Sequence, residues 1–465
     1  MTWFKFHTPR RGTFNFNGGR WHQDLQNESL AFAGKALRIA YGQEAARQWA
    51  IATKPDADKD TQKAAKSIQE RCNKRLDRVN TLHRLKSCLE LAATGHNALS
   101  IKGTEWNANP WLIQAQDMVI DLKTGNARPG TPEDYINKGS DTKWEGAAKQ
   151  IAEPVNWLMF LNSIFNGDKE LIQYVKRLLG SALVGRPSVQ EFYIFWGEGR
   201  NGKGTILETL KEILGEGLAA PIRSEMIMDT FQRNSNGPNP ELLDLQGKRI
   251  VWASETSEGK KLNSEKVKLF TGGDTLSARL NYSNEIISFK PTHTLFMLTN
   301  NKPRISAQDT AVWDRLRLIP FSMRFVDNPE KENERKKDMN LQEKLLKEAS
   351  SIFAWLVEGC LEWQKDGMNP PSIVLQSMQE YRLDEDPTQQ FVNACCVTGE
   401  GYRARTQTLY DAFVEWFKEL YGEHIKPISM KKFSNNLKRT YRRDENGRHT
   451  WFYGIGLADD SEDFL

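Results

Sequence analysis

Cysteine is scarce in this chain of 465 residues, and the five present, Cys72, Cys88, Cys360, Cys395 and Cys396, form no C-x-x-C pair. That excludes a zinc finger and a disulfide framework, and it fits a reducing compartment. Long apolar runs are missing too. No stretch approaches the roughly 18 residues of a membrane span. The opening "MTWFKFHTPRRGTF" has no apolar core of signal-peptide length. A cytoplasmic protein without a membrane partner is the expectation. Net charge is only +4, so any nucleic-acid surface must be a local patch. No internal repeat or long low-complexity tract interrupts the chain. Its length allows roughly two to four domains and a large core.

What is present changes character along the chain. Residues 1 to about 105 show mostly helical spacing, as in "NESLAFAGKALRIAYGQEAARQWAIA". A second helical run there carries Arg71, Lys74, Arg75, Arg78, Arg84 and Lys86, which fits a solvated helix face, with nucleic-acid contact as the alternative. "WLIQAQDMVIDLKTGNARPG" predicts two short strands around a turn at Lys-Thr-Gly-Asn. From Glu191 short apolar runs alternate with helices, the signature of an α/β domain. After about Pro329 the pattern is helical and highly charged.

The richest stretch is "FWGEGRNGKGTIL", Phe195 to Leu207. Gly197, Gly199 and Gly202 spell a dinucleotide fingerprint, while Gly197, Gly202 and Lys203 spell the phosphate loop of nucleoside triphosphatases. Both need a strand before and a helix after, and "EFYIFW" and "TILETLKEIL" supply them. Backbone N–H groups at such a helix start favour an anion. Lys203 decides for the phosphate loop, because a lysine there neutralises β- and γ-phosphate charge. The dinucleotide site wants an acid about 20 residues on, after a second strand. That stretch, "GEGLAAPIRSE", does not resemble an apolar strand, so Glu225 is a poor ribose ligand. Gly197, Gly199, Asn201, Gly202, Lys203, Gly204 and Thr205 are therefore the expected ATP-binding residues. Gly204 stands where Mg²⁺ usually meets a serine or threonine. Thr205, one place later, is the candidate metal ligand, with water as the alternative.

Two further strands complete the pattern. "KRIVWASET" ends on Glu255, the candidate acid for Mg²⁺ and the attacking water. "THTLFMLTNNKP" ends on Asn300, placed to orient that water. Between them "LSARLNYSNEIISF" predicts a hairpin with its tip near Tyr282. "DTAVWDRLRLIPF" sets Arg315 and Arg317 at the start of another strand, as an ordinary edge or as a finger for a neighbouring subunit's nucleotide.

In this order the motifs resemble the superfamily 3 helicase core of the phage and plasmid primase–helicase family, related to the poxvirus primase-helicase. The matching stretches are "GEGRNGKGT", "VWASETSEGKKLN", "FTGGDTLSAR", "FKPTHTLFMLTNNKPRI" and "VWDRLRLIPF". The resemblance runs from about Asn107 to Cys396, and more loosely to the end. It implies an α/β P-loop NTPase, an AAA+-like core, in a ring or hexamer with ATP between subunits and single-stranded DNA in the pore. Glu255, Asn300 and Arg315 would be catalytic, Thr205 and Glu255 would hold Mg²⁺, and Lys268 would add a phosphate contact. Arg279 and Tyr282 of the hairpin would face DNA. The implied domains are a mainly helical 1–170, the ATPase core 171–328, a helical extension 329–399 and a winged-helix-like module 400–465. A separate primase or polymerase is a candidate partner. Asp117 and Asp121 have the wrong spacing for a polymerase acid pair, so no primer synthesis is expected. A replication initiator or loader that hydrolyses ATP without unwinding, and a P-loop nucleotide kinase, are the alternatives.

The closing segment reads as two helices and a hairpin. "RTQTLYDAFVEWFKELYG" points Leu409, Phe413, Trp416 and Phe417 toward a core, and Ser429 is the expected cap of the next helix. "RRDENGRHTWFYGIGL" predicts a hairpin turning at Glu445–Gly447. Lys431, Lys432, Lys438 and Arg439 are the expected contacts to duplex DNA, mainly to phosphates, with Asn435 and Asn436 as candidate base readers.

Overall fold

The computed structural model describes residues 3–7, 12–79, 81–94, 98–146, 152–186, 190–229, 239–255, 257–279, 286–307, 309–422, 426–444 and 449–458. It begins with strands β1 (Trp3–His7), β2 (Gly12–Asn17) and β3 (Arg20–Gln23). Helices α1 (Glu28–Ala52), α2 (Lys59–Arg78) and α3 (Leu82–Ala92) follow. β4 (Ser100–Ile101) then completes a four-stranded sheet beside β1. Helical spacing alone predicts no sheet here. Its signal is the apolar–polar alternation of "GTFNFN", which brings Phe14 and Phe16 to an aromatic cluster with Trp21 and Trp106. The basic residues of α2 and α3, Arg71 to Lys86, lie on the solvent side.

A three-stranded antiparallel meander comes next: β5 (Leu112–Gln114), β6 (Val119–Asp121) and β7 (Ala127–Arg128). The expected turn at Lys123–Asn126 joins β6 to β7, with Gly125 at φ 74, but the segment holds three strands, not two. Asp117 and Asp121 accept bonds from the backbone nitrogens of Trp144 and Lys123 at 2.9 Å each. Helices α4 (Val155–Ile164) and α5 (Lys169–Ser181) lead to the central sheet, α5 being capped by Asp168.

That central unit runs β8 (Phe192–Trp196), α6 (Lys203–Leu214), β9 (Ala219–Ile222), α7 (Pro240–Leu243), β10 (Ile250–Glu255) and α8 (Ser264–Thr271). The hairpin β11 (Leu276–Arg279) and β12 (Ile286–Phe289) follows, then β13 (Thr294–Thr299), α9 (Thr310–Trp313) and β14 (Leu316–Pro320). Five strands form a wholly parallel sheet in the order β14–β8–β13–β10–β9. Successive residues point to opposite faces. Tyr193, Phe195, Trp252 and Phe296 pack into one core, and Phe192, Ile194, Val251 and Met297 into the other. Burial on both faces explains why "EFYIFW" is apolar without alternation. β9 departs from the sequence expectation: "AAPI" is a strand after all. It is short and contains Pro221, which an edge strand tolerates.

Beyond the sheet lie β15 (Arg324–Val326), β16 (Glu334–Lys336), α10 (Leu341–Lys347), α11 (Ala349–Asp366) and α12 (Ser372–Asp384). The regular elements from Pro329 to Cys395 are thus helices apart from β16. α11 lies against α5 so closely that a Cβ on Gly180 would overlap the backbone of Gly359 and Cys360. Lys176 of α5 bonds Glu358 and Glu362 of α11 at 3.2 and 2.7 Å. A second joint ties the meander to the sheet. The buried Arg249 donates to the carbonyls of Pro110 (3.3 Å) and Leu112 (3.1 Å) and fills the space where Gly185 has no side chain.

The chain ends with α13 (Pro387–Cys395), β17 (Cys396–Arg405), α14 (Thr406–Tyr421), α15 (Met430–Leu437), β18 (Arg442–Asp444) and β19 (Trp451–Leu457). The last three strands form an antiparallel sheet in the order β17–β19–β18. Leu409, Phe413 and Phe417 enter its core as expected, Trp416 packs at the core's margin, and Ser429 caps α15. The hairpin tip at Glu445–Gly447 lies outside the described residues. Phe391 and Val392, from the expected helical extension, share this core, so the unit draws on the chain from α13 onward.

The helix contact makes a prediction. Gly180→Ala improves helix propensity by about 1 kcal/mol, yet it drives a methyl into backbone that cannot turn aside. Overpacking of this kind costs roughly 1–3 kcal/mol, so a thermal melt should show a lowered Tm, and an unchanged or raised Tm would mean that the helices separate freely.

Candidate active site

The parallel register ends three strands in one row. Trp196 of β8 pairs with Thr299 of β13, and Thr299 pairs with Glu255 of β10. The glycine loop springs from the β8 end of that row. Gly197 has φ 155, and a Cβ there would overlap the Phe321 carbonyl. Gly202, at φ 86, is the N-cap of α6, and a Cβ there would press on Ile164 at 2.7 Å. These two glycines are required by the fold of the loop. Gly199 and Gly204 have open space where a Cβ would sit, so a ligand can approach the backbone there. Asn201 is buried and points its amide at the Phe321 carbonyl, 3.4 Å away. Its side chain anchors the loop.

Lys203 opens α6 and is buried, with 7% exposure. Its ammonium donates to the Gly197 carbonyl and, at 3.1 Å, to Asn300 Oδ1. Burial lowers its pKa to about 8. No carboxylate shares these contacts, so the cation is held by dipoles alone. Asn300 also accepts, at its carbonyl, the Trp196 indole N–H at 3.1 Å. Thr205, half-buried, lies on the first turn of α6.

Glu255 ends β10 with 5% exposure. Burial alone would raise its carboxyl. Bonds from Lys260 Nζ (2.7 Å) and the Ser257 N–H (2.8 Å) outweigh that and hold it at about 2. Lys260 was not singled out from sequence, although "EGKK" directly after the acid strand carries the signal. Lys302 was also missed. It stands 4.7 Å from the Trp196 ring centroid and 5.4 Å from that of Tyr381, and it pairs with Asp384 at 2.9 Å. It ties α12 to the loop after β13.

The remaining predicted residues are not brought to this row. Arg315 precedes β14, and its carbonyl accepts from Phe192, the first residue of β8. That is the opposite end of the strands from the glycine loop. Its guanidinium donates to Ala311 O (2.7 Å) and Gln190 Oε1 (2.9 Å). Lys268 is paired with Asp309 at 2.9 Å, joining α8 to α9. Arg279 is half-buried in the last strand pair before the hairpin tip, and Tyr282 lies outside the described residues. Lys431, Lys432, Lys438 and Arg439 are all exposed on and just after α15. Asn435 is exposed, but Asn436 is committed to Thr388 Oγ1 at 2.9 Å.

The sheet order gives a firmer ground against a dinucleotide site than the residues of β9 do. In that fold the second strand lies beside the first. Here β13 and β10 stand between β8 and β9. Glu225, just after β9, is therefore across the sheet from the loop. Among the described residues no group of three His, Cys, Asp or Glu could hold a metal ion, and no helix is long and apolar enough to cross a membrane.

Fold and site define a mixed α/β protein with a glycine loop at the C-terminal end of the strands of a parallel sheet. Residues 2–166 match the family described as "D5 N terminal like", a match that begins well before Asn107. "Putative helicase L207/L206" of Acanthamoeba polyphaga mimivirus is 30% identical over 349 residues, which is 72% of this chain and 36% of that protein. "Putative helicase 121R" of Invertebrate iridescent virus 3 is 23% identical over 73% of this chain and 38% of its own length. "Primase D5" of Fowlpox virus is 28% identical over 35% of this chain and 20% of its own. Together these matches make the chain similar to proteins of the D5-like primase–helicase family. The chain spans little more than a third of the first two relatives, 36% and 38%. The apo structure of the C-terminal region of NrS-1 (A form) aligns over 98% of this chain and 97% of its own, at 11% identity and a TM-score of 0.46.

The Glu255–Lys260 pair makes a pH prediction. A carboxyl held below its ordinary value of 4.5 stabilises the folded chain above that pH and loses this as pH falls toward about 2. Lys260→Met should therefore lower Tm at pH 6, and the gap to the unaltered protein should shrink between pH 4.5 and 2. A gap that does not vary with pH would show that the pair contributes nothing through Glu255.

Proposed function

We propose that the chain is an ATP-dependent DNA helicase of a virus, phage, plasmid or other mobile element, acting as a ring with nucleotide between subunits. The observation that carries this is the contact of Lys203 with Asn300 at 3.1 Å, in line with Glu255 on the next strand. A lysine held by neutral dipoles in a glycine loop is a cation without its anion, and a triphosphate supplies it. When phosphate takes the Lys203 ammonium, the Asn300 amide is released to orient water. Glu255, ionised at any physiological pH, accepts that water's proton once Lys260 turns away. The names of the viral relatives support the same reading.

The donor set fits Mg²⁺, an ion that keeps several waters and takes one or two protein oxygens together with phosphates. Thr205 and Glu255 would hold it, and it would supply charge neutralisation on the β- and γ-phosphates. Lys268 is better assigned to the α8–α9 joint than to phosphate. Arg315 would serve the next subunit's nucleotide, since its place at the opposite end of the strands keeps it from its own. Single-stranded DNA would thread the pore past the β11–β12 hairpin. The order helix, strand, two helices and two strands from α13 to β19 supports a winged-helix module, with the four basic residues on and just after α15 on duplex phosphates.

Lys203→Ala should fold and bind DNA but hydrolyse no ATP. Arg315→Ala should bind ATP and hydrolyse it roughly 10³-fold or more slowly, as when an arginine finger is lost. Mixing the two folded variants should restore part of the activity, because some interfaces then combine an intact lysine with an intact arginine. No recovery despite demonstrated subunit exchange would count against the shared site. DNA-stimulated hydrolysis without strand displacement at a fork would favour a loader over a helicase.

Replacing Lys431, Lys432, Lys438 and Arg439 with alanine should weaken duplex binding. It should also flatten the slope of log affinity against log salt by about 0.9 for each phosphate that is no longer neutralised. An unchanged slope would move the duplex surface elsewhere.

A further inference from the structure

The outer face of the C-terminal sheet bears a cluster that the site described above does not use. The register sets Tyr453 of β19 between Arg403 of β17 and Arg442 of β18, and it sets Trp451 opposite Arg405. The guanidinium carbons of Arg403 and Arg405 each stand 5.2 Å from the Trp451 ring centroid. All three arginines are exposed, and Tyr453 is 38% exposed. The other face of the same sheet is dry, with Phe452 and Ile455 fully buried beside Leu409, Phe413 and Phe433. The outer rings are therefore not needed to fill the core. At one end the register shifts between Thr398 and Arg403, and the loosened backbone opens a groove lined by Gly401, Tyr402, Tyr441 and Tyr453. Glu400 is the acid among the groove residues, and Asp444 stands opposite Trp451.

An arginine over a tryptophan is a common local stabilising pair. Three exposed arginines interleaved with aromatic rings on one sheet face have a more specific chemistry. Rings stack on bases whatever their sequence, and guanidinium forks take phosphate oxygens bidentately. A duplex keeps its bases paired and stacked, so it offers no ring face to Tyr453. We propose that this face is a platform for one nucleic-acid strand, with bases on Tyr453 and Trp451 and phosphates on Arg403, Arg405 and Arg442. The platform is separate from the duplex contact assigned to α15, and it does not depend on ATP hydrolysis.

The test uses the full chain without nucleotide, with labelled dT20 and rU20 as probes. Arg403→Ala/Arg442→Ala/Tyr453→Ala should bind both strands about tenfold or more weakly, while duplex affinity stays near that of the unaltered protein. Tyr453→Phe keeps the ring and should keep binding. A loss with dT20 alone would restrict the platform to DNA, and a loss with rU20 alone to RNA. Ultraviolet crosslinking on the unaltered protein gives a second readout that no folding defect can mimic, and crosslinked peptides should include Trp451 or Tyr453. Unchanged affinity for both strands in the triple variant, or crosslinks confined to residues before Cys396, would overturn the platform. The α15 quadruple variant separates the two surfaces: it should lose duplex and keep single strands.

Discussion

The structure depends on one constraint, the parallel register that stops β8, β13 and β10 at the same level. Trp196, Thr299 and Glu255 are paired across neighbouring strands, so the three segments that follow them meet at one end of the sheet. Lys203 reaches Asn300 only because of this alignment. A slip of one residue in any strand would exchange its two faces and expose what is now core. The two buried cores, with Phe195 and Trp252 in one and Ile194 and Val251 in the other, hold the register against such slippage. Packing on both faces thus sets the position of a lysine that touches neither core's centre.

At that end of the sheet, charges are taken out of water by different means. Lys203 is desolvated with only carbonyl and amide oxygens for company, and its pKa falls to about 8. Glu255 is equally dry but keeps a lysine and a backbone N–H, and its pKa falls to about 2. One group is left under-compensated and the other over-compensated. An anion arriving in the loop relieves the first, whereas the second must lose a partner before it can accept a proton. In the proposed function the two residues would thus meet opposite events, although both look simply buried.

Much of this was legible in the residues. The glycine loop, its strand and its helix announce themselves because apolar runs and glycines are strong local signals, and the acid and asparagine at strand ends follow from counting. What escaped was set by tertiary pairing. "AAPI" has no strand signal of its own and becomes β9 only by lying beside β10. β17 contains two glycines that argue against a strand, yet β19 pairs with it on both sides of the bulge. The sheet formed by β1 to β4 was masked by the long helices inserted between β3 and β4. Partners were harder still: Lys268 and Asn436 looked available by sequence, and the fold engages them with Asp309 and Thr388.

Arg249 carries a consequence for how such chains can be recombined. It sits fully buried at the base of β10, lowered by desolvation to a pKa of about 10 and still charged at neutral pH. Its hydrogen bonds go to backbone carbonyls of Pro110 and Leu112, and its space exists because Gly185 lacks a side chain. Backbone carbonyls are present in any sequence, but their position is not. A graft that replaces the segment around the meander must reproduce the path of that backbone to within a hydrogen bond, or it strands a guanidinium in the protein interior. Viable crossover points between homologous genes should therefore fall outside the interval from Pro110 to Arg249, which would pass between lineages as one inherited block.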